Sequence, residues 1–126
     1  PYTAALREAV EKSNPDQLWL SASELGRDLT PRIAARLGVG AITDVIAIDG
    51  DSLKRPAMAS KVIQECVFIH DGLKIISVRA GAFEVRPGQA CPANIVVLVT
   101  PESDLRAIVK EVLAESGGSI DLVDAR

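Results

Sequence analysis

Side chains able to do acid–base or nucleophilic chemistry are sparse in this sequence. Its single histidine, His70, sits beside Asp71-Gly72 in a polar turn. A general base needs a positioned partner, and no nucleophile–base–orienter pattern is legible around it. A solvated turn histidine accounts for the residue. Cys66 falls mid-strand and Cys91 in a loop, at a spacing that makes neither a disulfide framework nor a zinc site. A small buried hydrophobe and an incidental thiol account for the two. Glycines at 38, 40, 50, 72, 81 and 88 raise a phosphate-loop reading. None forms GxGxxG between a strand and a helix, or GxxxxGK followed by Ser or Thr. No catalytic, cofactor-binding or metal-binding residue is assigned.

Two charged groups carry more. Glu24, Arg27 and Asp28 stand at the start of the second helix, just past strand QLWLS. Open α/β sheets bind ligands at that edge, although acidic residues near a helix N-terminus also simply stabilise it, by ~0.3–1 kcal/mol each. The second group is Arg55, Pro56, Arg79 and Phe83. An arginine pair and a loop aromatic at one rim suit a partner subunit or the phosphate of a flavin. The alternative is surface charge with Phe83 folded into the core.

The stretch from Ser21 to Asp51 must position these groups. Thr30-Pro31 reads as a helix-start signature, a capping hydroxyl before a ring with helical φ. Gly38 is the matching stop. Ile33, Ala34 and Leu37 form an apolar stripe between them, and Ala41 to Ile48 reads as a strand covered on both faces. Strand, helix, glycine, strand is a βαβ unit, so a parallel sheet is expected. Ahead of it, residues 1–13 read as a helix broken by Asn14-Pro15-Asp16, and QLWLS as a strand whose Trp19 packs into the interior.

Further on, Asp49 to Ser52 reads as a turn. Val62 to Ile69 and Leu73 to Val78 are β-rich runs, and Asp71-Gly72 between them predicts a hairpin pairing Phe68 with Ile75 and Gln64 with Arg79. Phe83 to Pro92 reads as a loop, and Ile95 to Val99 as a strand. Leu105 to Glu115 is ambiguous: Thr100-Pro101 and Gly117-Gly118 bracket it as a helix.

At 126 residues the chain reads as one α/β domain, with a mostly parallel sheet, flanking helices and a β-hairpin. With only four aromatic residues, the core must be aliphatic. A net charge of −3 with interspersed signs argues against a nucleic-acid face or a polybasic membrane anchor. No apolar run approaches the ~20 residues that span a bilayer.

GRDLTPRIAARLGVG, followed by ITDV and IDGD, resembles the N-terminal domain of the electron-transfer flavoprotein alpha subunit. Lys54-Arg55-Pro56 and VRAGAFE resemble family segments in the same order, with Met58 and Ser60 standing where members commonly carry an aromatic and a glycine. The closing IDLVDAR resembles the strand leading into the family's C-terminal flavin domain. The resemblance implies an extended strand over Leu105 to Glu115. It also implies a domain missing its first elements before Pro1 and cut before the FAD domain, so FAD belongs to the parent protein and no cofactor is expected in this chain. The implied role is that of scaffold rather than enzyme. It is the partner-binding part of a heterodimer with a beta subunit, carrying electrons from acyl-CoA or similar dehydrogenases of fatty acid oxidation to a quinone-linked acceptor. The implied location is the bacterial cytoplasm, or the mitochondrial matrix in a eukaryote. The competing class is a stand-alone nucleotide-binding α/β module using the edge at Glu24 to Asp28.

Overall fold

The computed structural model describes residues 2–84, together with 88, 95–97 and 111. Its elements run α1 (Tyr2–Ser13), β1 (Gln17–Ser21), α2 (Glu24–Leu37), β2 (Ala41–Val45), β3 (Ala47–Asp49), β4 (Ser52–Ala57), β5 (Val62–Cys66) and β6 (Lys74–Val78). Two three-stranded sheets result, a parallel one in the order β1-β6-β2 and an antiparallel one in the order β3-β4-β5.

The parallel sheet lies between the helices and the antiparallel sheet. On its helical side Ile75 meets Ile33 and Ala34, with Leu6, Leu18, Leu20 and Leu37 packed around them. On the other side Ile76 joins Ile42, Val45 and Leu53, flanked by Cys66, Phe68 and Val78. Neighbouring residues on a strand point to opposite faces, so Ile75 and Ile76 serve one core each. Full burial of such a side chain contributes roughly 1.5–3 kcal/mol. The core is aliphatic, as the composition requires.

Sequence punctuation sets several boundaries. Asn14 takes a left-handed φ of 42° after α1, a conformation asparagine tolerates. Gly38 ends α2 at φ 67°, its N–H donating to the Ala34 carbonyl. The start of α2 differs from expectation. Ser23, not Thr30, is the N-cap, its Oγ accepting from the Gly26 N–H at 3.3 Å. Thr30 lies buried inside the helix and donates its hydroxyl to the Gly26 carbonyl at 2.6 Å. Pro31 follows inside the helix, and its missing N–H is the one that would have reached the Arg27 carbonyl four residues back, whereas the Thr30 hydroxyl bond goes to the carbonyl one residue earlier.

The hairpin expected at Asp71-Gly72 is absent. β6 is parallel to β1 and β2 and occupied on both edges, whereas β5 pairs antiparallel with β4, Arg55 lying opposite Gln64. Among the described residues the β-hairpins are β3–β4, closed by Gly50-Asp51, and β4–β5. At the tip of the second, Met58, Ala59 and Ser60 all have positive φ (49°, 54° and 65°). A glycine would suit this turn better than Ser60. Likewise, Ala41 to Ile48 is two strands in different sheets, and β1 and β2 are separated by β6. Trp19 is 45% exposed on β1, an edge strand among the described residues; its Nε1 donates to Gln17 Oε1 at 2.9 Å. Ile95, Val96 and Val97 are exposed and in no strand; an apolar run forms a ladder only where a neighbouring strand accepts its hydrogen bonds. Cys91, Leu105 to Glu115 apart from Glu111, and the closing IDLVDAR lie outside the described residues.

Among the glycines described, Gly26 has the tightest surroundings. A Cβ there would lie 1.7 Å from the Ser21 carbonyl oxygen, which is backbone at the end of β1 and cannot swing aside. Gly26→Ala therefore destabilises the protein by about 3 kcal/mol, measurable as a lowered midpoint in urea, whereas Ala35→Gly on the exposed face of α2 loses only about 1 kcal/mol.

Candidate functional site

The C-terminal edge of the parallel sheet is built around one extra residue in β2. Ile42 lies opposite Ile76 and Val45 opposite Val78, so three steps on β2 match two on β6. The bulge contains Asp44, at a left-handed φ of 62°. Its N–H donates to Ser77 Oγ at 3.1 Å, which explains why β6 carries a fully buried serine. Bulges re-aim side chains, and this one presents the Asp44 carboxylate to Arg79, the first residue after β6.

The pair is bidentate. Arg79 Nε donates to Asp44 Oδ1 at 3.0 Å and Nη2 to Oδ2 at 2.6 Å. The Asp44 side chain is 20% exposed and that of Arg79 is 40% exposed. The hydrogen bond from Arg79 holds the Asp44 carboxyl below its ordinary range; partial burial opposes this, and the charges of Arg79, Arg27 and Arg55 reinforce it. The same hydrogen bond raises Arg79.

Arg55 arrives from the other sheet. It lies two residues from Leu53 on β4 and so on the same face. Leu53 enters the core beneath β2, and Arg55 continues to the edge beside Thr43 and Asp44. Arg27, in the first turns of α2, closes the other side. Arg27, Pro31, Thr43, Asp44 and Arg55 line a cleft of about 340 Å³. Three guanidiniums against one carboxylate leave a local surplus of two positive charges.

Arg55 and Arg79 thus do share one rim, through Asp44 and not through the expected hairpin. Pro56 is buried and shapes β4 without presenting surface. Phe83 is 44% exposed, just beyond the Arg79–Ala82 turn, in which the Ala82 N–H donates to the Arg79 carbonyl at 3.2 Å. Of the α2 group, Arg27 joins the cleft while Asp28 pairs with Arg32 at 2.8 Å along the helix, the plain stabilising role. His70 is exposed and lines a separate cavity of about 320 Å³ with Gly38 to Ile42, Val67 to Asp71 and Leu73, at the opposite end of the strands. Among the described residues no three His, Cys, Asp or Glu side chains gather as a metal site, and no helix is long and apolar enough to cross a membrane.

Asp44 and Ser77 were not singled out from the sequence. The available signal was the spacing of Ile42 and Val45. Both enter one core, which a strand of period two forbids unless it bulges.

A family model described as "Electron transfer flavoprotein domain" matches residues 1–103. The chain belongs to the electron transfer flavoprotein domain family. It is 30% identical to "Protein FixB" of Clostridium saccharobutylicum, over 99% of this chain and 40% of that protein. To the electron transfer flavoprotein subunit alpha of Bacillus subtilis it is 25% identical over the same shares, 99% and 40%. A probable mitochondrial alpha subunit of Schizosaccharomyces pombe is 34% identical over 73% of this chain and 27% of its own length. The chain thus spans 40% of the length of the first two relatives. Parallel sheet, flanking helices and antiparallel sheet agree with the fold expected of this family.

The Asp44–Arg79 pair makes stability depend on pH. The folded carboxyl titrates below its unfolded value, so the stabilisation is fully present above the unfolded value and lost as pH falls through the folded one. Asp44→Asn keeps a residue at ease with positive φ and removes only the charge. It lowers the melting temperature at pH 7, and the gap to the parent narrows progressively below about pH 4. A gap that stayed constant down to the acid limit would show that the charge contributes nothing.

Proposed function

We propose that this chain is the supporting, partner-binding domain of an electron transfer flavoprotein alpha subunit. The observation that carries the reading is its match, along nearly its whole length, to 40% of a protein named as an alpha subunit. In this reading the chain works in a heterodimer with a beta subunit. The complex takes electrons from flavin dehydrogenases, such as those acting on acyl-CoA, and passes them to a quinone-linked acceptor.

Among the described residues, cavities of about 320, 220 and 340 Å³ lie near the lower end of ligand pockets, roughly 300–1,000 Å³, which is small for FAD. The cationic one has no aromatic wall. We therefore assign no flavin chemistry to them and place FAD elsewhere in the parent protein. The purified chain, titrated with FAD and passed through gel filtration, is expected to retain none. Stoichiometric retention would make it a flavin-binding module in its own right.

The rim of Arg55 and Phe83 is the part we assign to the beta-subunit interface, with Arg79 acting through Asp44 to hold the edge rigid. Arg55→Glu weakens beta-subunit binding about tenfold, the scale of a charged interface residue, with little change in melting temperature. Arg79→Glu lowers both affinity and melting temperature. If affinity measured by titration calorimetry is unchanged in both variants, the rim is not the interface.

A further inference from the structure

The geometry points to the cleft between Arg27 of α2 and Arg55 of β4 as a binding site for the phosphate group of a small molecule. This goes beyond the supporting role and does not depend on it.

Four observations carry the inference. First, the cations are unpaired among the described residues. Asp44, the one carboxylate lining the cleft, is held by both donors of Arg79, whereas neither Arg27 nor Arg55 has an ion-pair partner among the described residues. Second, Arg55 Nε is buried with no hydrogen-bond partner among those residues. A buried donor without an acceptor is costly, and a bound oxyanion supplies the acceptor. Third, the cleft lies at the C-terminal ends of parallel strands beside the first turns of a helix, where backbone dipoles and sheet topology favour anions. Fourth, its volume of about 340 Å³ suits a small ligand and leaves room beyond a bare anion.

Phosphate fits better than carboxylate. The surplus of two positive charges matches a phosphate monoester, which carries about −1.5 to −2 at neutral pH. A carboxylate would leave one guanidinium unmatched. Two guanidiniums from different elements can also grip different oxygens of a tetrahedral anion.

Pro31 and Thr43 give the cleft a narrow wall with no charge, so recognition rests on the arginines. The Asp44–Arg79 pair takes no part in binding here. It keeps Asp44 from collapsing onto Arg27 or Arg55, and so keeps both available.

The test uses the purified chain and two probes, inorganic phosphate and AMP, against sodium chloride of matched ionic strength. The readouts are melting temperature and titration by NMR or calorimetry. Both probes are expected to raise the melting temperature above the chloride control. Arg27→Gln, on the exposed face of a helix, and Arg55→Gln should each weaken binding about tenfold or more, the loss of a charge-assisted hydrogen bond. Arg36→Gln, in the last turn of the same helix, should leave it unchanged. Tighter binding of AMP than of phosphate identifies a nucleotide as the ligand; equal binding identifies the phosphate group alone, and both support the site. A shift no greater than that of chloride, or one that survives Arg27→Gln and Arg55→Gln, overturns it. Beta-subunit binding is measured separately, so failure here leaves the heterodimer reading standing, and failure there leaves this one.

Discussion

The fold depends on where β6 enters. KIISV is laid between β1 and β2, parallel to both, so its backbone groups on both edges find partners within one sheet. Its two faces are sealed by different layers: Ile75 is fully buried beneath the helices and Ile76 almost fully beneath the antiparallel sheet. The strand is thereby the common wall of both cores. Had it folded back on β5, the helical layer and the antiparallel layer would share no side-chain contact through it, and the edge at Arg79 would not exist.

A single extra residue in β2 converts that wall into a site. Ile42 and Val45 must both reach the core shared with Leu53, and the bulge reconciles their spacing with the pleat. The cost is one backbone N–H with no ladder partner and one side chain turned out of the sheet. Ser77 accepts the first, and Arg79 binds the second. Two residues of β6 and its flank are therefore explained by one irregularity in its neighbour. The pairing also determines the electrostatics of the edge. With Asp44 committed to Arg79, the positive charges of Arg27 and Arg55 are left facing a cleft.

The two Asp-Gly dipeptides show how far local chemistry carries. Asp49-Gly50 does sit at a tight hairpin, Asp49 ending β3 opposite Ser52 and Gly50 opening the Gly50-Asp51 loop at a φ of 59°. Asp71-Gly72 has the same turn chemistry, and Gly72 also has positive φ, at 110°, yet the chain there passes from one sheet to the other. A turn residue licenses a change of direction. It does not choose the strand that follows as the partner, because pairing is decided by which edges compete for it.

By itself the sequence determined what short-range physics controls. The break at Asn14-Pro15, the stop at Gly38, the strand at Gln17–Ser21 and the aliphatic core all follow from backbone preferences and hydrophobicity within a few residues. Family membership was legible too, because GRDLTPRIAARLGVG, KRP and VRAGAFE preserve order and spacing along the chain. Tertiary structure decided what depends on partners distant in sequence. It set Ser23 over Thr30 as the cap by fixing where β1 ends, placed β6 in the parallel sheet, split residues 41–48 between two layers and, among the described residues, left Trp19 half exposed on an edge. It also brought Arg27, Asp44, Arg55 and Arg79 together from four separate elements. The expected shared rim of Arg55 and Arg79 rested on a Gln64–Arg79 register that does not form, and the carboxylate that connects them lies on a third strand. A bulge is a compromise between two strands, and only one of the two is written in any one stretch of sequence.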